Sequence, residues 1–204
     1  MMKTLFVILA LIQIGCNAQN KETNSVTNEK NNNQNKAMET FDIDTYNKNK
    51  DQAENYIFTL DDGTKVTQFG NQESGYYEYS RKQNSFFEKR KSFYASGKLK
   101  IDGTMYFNSY QKGIWNYYDE QENLEKTIDY DQPFTYTWDD ILKFVKEKKI
   151  DLSKNTTRIS RTTEGVIPTW GITWHYDSGR LKSITINGKT GEIVEEKFLI
   201  MEKL

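Results

Sequence analysis

The sequence predicts an α+β protein: an antiparallel β repeat sheet followed by a small helix-plus-antiparallel-sheet unit. Three observations predict it. The 204 residues include 13 tyrosines, 11 phenylalanines and 4 tryptophans but only 2 prolines, and an aromatic, glycine-punctuated, proline-poor chain favours antiparallel strands. Two stretches, "FYASGKLKIDGTMYF" (93–107) and "YYDEQENLEKTIDYD" (117–131), repeat one pattern of two aromatics, a polar turn, a leucine and an alternating strand. A single stretch, "WDDILKFVKEKKI", carries helical periodicity.

The chain opens on "MMKTLFVILALIQIGC". Lys3, the apolar run from Leu5 to Ile12 and then Gly15-Cys16 have the form of a secretory signal, with a basic start and an apolar segment of roughly 7–15 residues. The run is too short to span a bilayer, which takes about 20 residues. Residues 1–15 are therefore read as a signal peptide. The next segment, 16–53, is read as a flexible tether. Its first part, "NAQNKETNSVTNEKNNNQNKAMET", holds eight asparagines and almost no apolar side chains, so burial cannot offset its ordering entropy.

Cysteine just after a small residue at the end of such a signal resembles the bacterial lipobox, although Gln13 and Ile14 stand where that motif carries leucine and a small residue. The resemblance implies that Cys16 is lipidated and becomes the mature N-terminus. The alternative is an ordinary signal with an incidental cysteine. The residues after Cys16 do not begin with aspartate, the residue that retains many bacterial lipoproteins in the inner membrane. The expectation is a cell-envelope protein anchored by lipid in the outer membrane.

Residues 54–132 are expected to form the repeat sheet. Tyr94 and Tyr118 lie 24 residues apart and Leu99 and Leu124 lie 25 apart, which one extra residue in the second turn would explain. A period in the twenties marks a repeat architecture. Asp61-Asp62-Gly63 reads as a hairpin turn, and Gly97 and Gly103 supply backbone freedom where the chain reverses or bulges. Phe93-Tyr94, Gly97, Leu99 and Gly103, then Gly113, Trp115 and Tyr118, resemble the MORN repeat in its variant form found in bacterial antitoxin-like proteins. The likeness covers about 91–131, with degenerate units upstream. Trp115 and Tyr118 are expected to stack in the core, and Tyr117 to face the other way as an exposed contact. Tyr117, Trp115, Tyr106 and Tyr110 are the candidate binding residues. Asp119, Glu120 and Glu122 fall in a turn and read as solvated.

Pro133 ends the sheet pattern. Apolar residues at 138, 141, 142 and 145 have amphipathic helical spacing, and Thr137 with Asp140 reads as a capping box. Strands follow at "NTTRISRTT", "GITWHYD", "RLKSITIN" and "NGKTGEIVEEKFLIM". In the second of these, Ile172, Trp174 and Tyr176 share one face, and Thr173, His175 and Asp177 the other. Trp174, Ile184, Ile186, Asn187, Thr190, Gly191, Glu192 and Ile193 resemble the PepSY family of small envelope domains, which makes 137–204 a PepSY-like unit.

Function is bounded mainly by exclusion. The formal charge is −1, which gives no case for nucleic acid. One cysteine and one histidine, Cys16 and His175, rule out an intramolecular disulfide and a four-cysteine zinc site. No nucleophile-elbow pattern accompanies His175, and "NGKTG" lacks phosphate-loop spacing. No enzyme, cofactor, metal or small-molecule substrate is expected. The MORN-variant resemblance implies a protein partner, with an immunity or antitoxin-like protein occluding a toxin. The PepSY resemblance implies the alternative, an envelope maintenance or regulatory lipoprotein that restrains a protease.

Overall fold

The computed structural model describes residues 38–106 and 109–200. The signal segment, Cys16 and residues 17–37 of the expected tether lie outside the described residues. Among the described residues antiparallel β dominates, in an α+β arrangement with two helices. A short helix α1 (Ile43–Asn49) leads into β1 (Asn55–Thr59), β2 (Lys65–Asn71), β3 (Gly75–Arg81), β4 (Phe87–Phe93), β5 (Leu99–Tyr106), β6 (Tyr110–Tyr118) and β7 (Leu124–Asp129). These seven strands pair in chain order as one meander. Helix α2 (Trp138–Glu147) is followed by β8 (Arg158–Thr162), β9 (Thr169–Asp177), β10 (Arg180–Asn187) and β11 (Ile193–Ile200), a four-stranded sheet with β11 and β8 at its edges.

The tether drawn through residue 53 is too long at its C-terminal end. Asp42 caps α1 by accepting from the Thr45 N–H at 2.9 Å. Tyr46 is fully buried, and its hydroxyl donates to the Glu54 and Gly70 carbonyls at 2.8 Å. Phe41 stacks on Tyr76 with ring centroids 4.7 Å apart. Order here begins before the helix, since Glu39 pairs with Lys91 and Thr40 bridges to Lys98.

One turn recurs along the seven-stranded sheet. The Leu60 N–H bonds the Thr64 carbonyl and the Gly63 N–H bonds back to Leu60, both at 2.9 Å. The same pair of bonds closes Tyr94–Lys98 and Asp119–Asn123. The fourth residue of each turn has positive φ: 79° at Gly63, 83° at Gly97 and 69° at Glu122. The two later turns are therefore equal in length. Phe93 and Tyr118 are each opposite a leucine, Leu99 and Leu124, at a register shift. Between the two later turns the spacing is 25 residues at both the aromatic and the leucine, a spacing the Leu60–Thr64 turn does not keep; no extra residue enters the second turn, and the alignment of Tyr94 with Tyr118 is off by one.

The pleat sorts the seven-stranded sheet into two faces. The inner face carries Val66, Gln68, Tyr76, Phe93, Leu99, Tyr106 and Tyr110, all buried. Phe41, just before helix α1, and Tyr46 within it cover one end, against Tyr76, Phe93 and Leu99. The four-stranded sheet and α2 cover the other end, where Trp170, Ile172, Ile141 and Val145 join Tyr106 and Tyr110 in one cluster. The segments drawn as 54–132 and 137–204 therefore share a core. Between the two clusters lies a polar strip, with Lys91 bonded to Glu78 at 3.1 Å and Gln68 to Glu78 at 2.8 Å.

Arg161 of β8 joins the sheets. Its guanidinium lies 4.7 Å from the Tyr110 ring centroid, 4.8 Å from Phe134 and 5.4 Å from Trp170. It pairs with Asp131 at 2.7 Å and donates to the Gln111 carbonyl. The capping box of α2 forms as the sequence predicts, with Thr137 and Asp140 bonding reciprocally.

Candidate functional site

The outer face of the seven-stranded sheet is built by register. Directly opposed residues in an antiparallel ladder share a face. One row runs Ile57, Thr67, Tyr79, Arg90 and Gly103 across β1 to β5. Trp115 continues it over Gly103, and Ile128 of β7 stands opposite Trp115. The next row begins at Asn55, Phe69, Tyr77 and Ser92. Ile101, Tyr117 and Lys126 complete it. Both helices and the second sheet pack on the opposite face. Among the described residues Tyr130 reaches over this one at Trp115 and Tyr117, and Phe69, Tyr77, Tyr79 and Arg90 stay part-exposed on it.

The rings on it are ordered and half-buried. Phe69 stacks on Tyr77 with centroids 5.0 Å apart and meets Tyr79 edge-on at 5.0 Å. The Arg90 guanidinium lies 4.3 Å from the Tyr79 centroid and is held by Glu88 at 3.0 Å. Trp115 meets the Tyr130 ring at 6.1 Å, and its indole N–H donates to the Thr104 carbonyl at 3.1 Å. The Tyr117 and Tyr130 hydroxyls lie 3.5 Å apart. Burial first, and then the Tyr130 hydroxyl, push the Tyr117 phenol up to about 12, so Tyr117 presents a neutral phenol at neutral pH. Aromatic rings held by neighbours lose little entropy on docking, which suits a protein-binding surface.

Two of the four candidate binding residues are corrected. Tyr106 and Tyr110 are each 5% exposed and stack on one another at 5.0 Å inside the core. Burial pushes the Tyr106 phenol up to about 12 and the Tyr110 phenol further in the same direction. Neither ring is available to a partner. Trp115 and Tyr117 do lie on the open face, but together. Both touch Tyr130, while Tyr118 packs on the inner side against the α1 cluster. The expectation that Trp115 and Tyr118 share a face opposite Tyr117 is reversed, because period-two alternation carries 115 and 117 to the same side. Trp115 is still 9% exposed, because Gly103 leaves room for its ring. A Cβ at Gly103 would stand 2.1 Å from the indole. Gly103 thus serves a close approach, and it also sits where the β5–β6 register shifts between Asp102 and Thr104, so the expected irregularity is a bulge and not a reversal.

Sequence reading missed Phe69, Tyr77, Tyr79 and Arg90. The available signal was alternation in "KVTQFGN" and "GYYEYSR", joined by the hairpin at 71–75. His175 is exposed, and Asp119 and Glu120 lie in the recurring turn at Asp119–Asn123. Among the described residues no group of three or more His, Cys, Asp or Glu could hold a metal ion.

No family model, curated protein or solved structure matches this chain. The MORN-variant and PepSY resemblances rest on the residues that carry them.

Proposed function

We propose that this chain is a non-catalytic bacterial lipoprotein, anchored through Cys16 in the outer membrane, that binds a protein partner on the outer face of its seven-stranded sheet. The observation that carries this reading is the two-row aromatic surface, with Phe69, Tyr77, Tyr79 and Tyr117 part-exposed on a face no described element covers. Isolated exposed apolar residues are normal, whereas contiguous ones mark interaction sites. The MORN-variant likeness makes the partner a toxin and the mechanism occlusion, as in immunity proteins. Lipidation at Cys16 would hold that face near the membrane such a toxin must cross.

The test is a capture experiment with residues 17–204 as bait, since order begins before Phe41. Envelope and secreted proteins of the source cells are the prey. One toxin-like partner, lost on Tyr79→Ala/Tyr117→Ala, supports the reading. Retention unchanged by that double variant refutes the face. Capture of an envelope protease would replace immunity by protease restraint through the PepSY-like region.

A further inference from the structure

A large cleft opens where the two sheets meet on the far side of the shared core, with a volume of about 1190 Å³. Its walls come from the start of β2, the β3–β4 loop, the α2–β8 loop and the outer strand β8. Five cations line it: Lys65, Arg81, Lys82, Lys154 and Arg158. No carboxylate lines it among the described residues. The chain has 28 basic and 29 acidic side chains, so an arbitrary wall of this size would carry both signs. Lys65 and Arg81 stand directly opposite in the β2–β3 ladder, which places two of the five cations side by side on one wall. Asp62 reaches Lys82 at 3.6 Å from the rim, with both side chains more than half exposed, so that pair is screened by solvent.

The remaining lining selects among anions. Gln83, Asn84 and Asn155 supply amides, while the lining hydroxyls of Ser109, Ser153 and Thr157 already donate to the Ile159 carbonyl, the Asp151 carboxylate and the Asp151 carbonyl. Two aromatic rings reach the wall, and both are committed elsewhere. Tyr106 is 5% exposed and stacked on Tyr110, and Phe86 packs against Trp138. Single-stranded nucleic acid needs free rings on which bases stack, and none is free here. Carboxylates with peptide amides match the cations and amides that are present. The cleft also follows β8, a sheet edge of the kind that receives extended peptides.

We infer that this cleft is a second binding site, for an acidic polypeptide segment. It is separate from the aromatic face, and its test does not depend on that face. The probe is a fluorescein-labelled decaglutamate peptide titrated with the full chain in detergent micelles, read by fluorescence anisotropy. Binding is expected at low salt and is expected to weaken as salt rises. Lys154→Glu/Arg158→Glu, both at exposed positions, should weaken it by about tenfold or more. Lys146→Glu/Lys189→Glu makes the same change in net charge away from the cleft and should stay within about twofold. Near-ultraviolet circular dichroism reports whether each variant is folded. Three results overturn the inference: no decaglutamate binding, equal loss in both variants, or tighter binding of a single-stranded oligonucleotide or a sulfated polysaccharide than of the peptide.

Discussion

Trp115 and Gly103 show how one residue pair sets a surface. The indole lies across the glycine, 2.1 Å from where a Cβ would stand, and its N–H is fixed on the Thr104 carbonyl. Any side chain at 103 must push the ring off the sheet. Gly103→Ala is expected to cost about 2 kcal/mol, from overpacking plus the lost hydrogen bond. It should also shift tryptophan emission to the red as the indole becomes wet. Urea unfolding gives the first quantity. A Trp115→Phe background, in which the shift should vanish, assigns the second. At this scale the sequence was partly legible. A glycine in a strand marks a bulge or a close approach, and only the partner strand shows that Gly103 serves both. The same limit explains Tyr106 and Tyr110. They look like Tyr117 in the sequence, and only the second sheet lying over them makes them core.

Elements were legible where local chemistry decides them. Helix α2 has its apolar stripe, its cap and its acidic first turn within one stretch, and Asp140 is held at about 2 by the Lys143 side chain and the Thr137 N–H and hydroxyl. Thr137→Ala removes the cap acceptor and is expected to destabilise the protein by about 1 kcal/mol, whereas Thr137→Ser should retain most of it. Urea midpoints at neutral pH measure both. Helix α1 was not legible, because seven residues in a polar stretch cannot form a stable helix by propensity. Its order comes from Tyr46, buried by a sheet that lies later in the chain. The turns fall between these cases. Gly63 and Gly97 announce positive φ, but Glu122 adopts it without a glycine, so the equal turn lengths stayed hidden. Strand β11 lacks alternation because all eight of its residues are exposed.

The whole molecule depends on the seam between its sheets, and Arg161 is its polar link. The guanidinium is nearly buried, with a side chain 6% exposed, while Asp131 remains 41% exposed. Water can therefore re-solvate the carboxylate if the arginine is lost, and Lys112 at 3.6 Å also remains beside it. Arg161→Met should thus cost about 2 kcal/mol, less than the roughly 3–5 kcal/mol for orphaning a fully buried charge. Asp131→Asn added to it should recover part of that loss, since neighbouring substitutions in one network do not add. The pH dependence separates the charge from the packing. Burial pushes the Asp131 carboxyl up, but the Gly113 N–H, Arg161 and Lys112 outweigh it and hold it below its ordinary value. A carboxyl depressed in the folded state contributes stability above its unfolded pKa, near 3.9, and that contribution is lost as pH falls through the folded value. The parent should therefore lose stability as acid is added below about pH 4, and Arg161→Met should lose less over the same interval. Urea unfolding at pH values on either side of that point measures the difference. Equal acid slopes in parent and variant would mean that the arginine joins the sheets by ring packing alone.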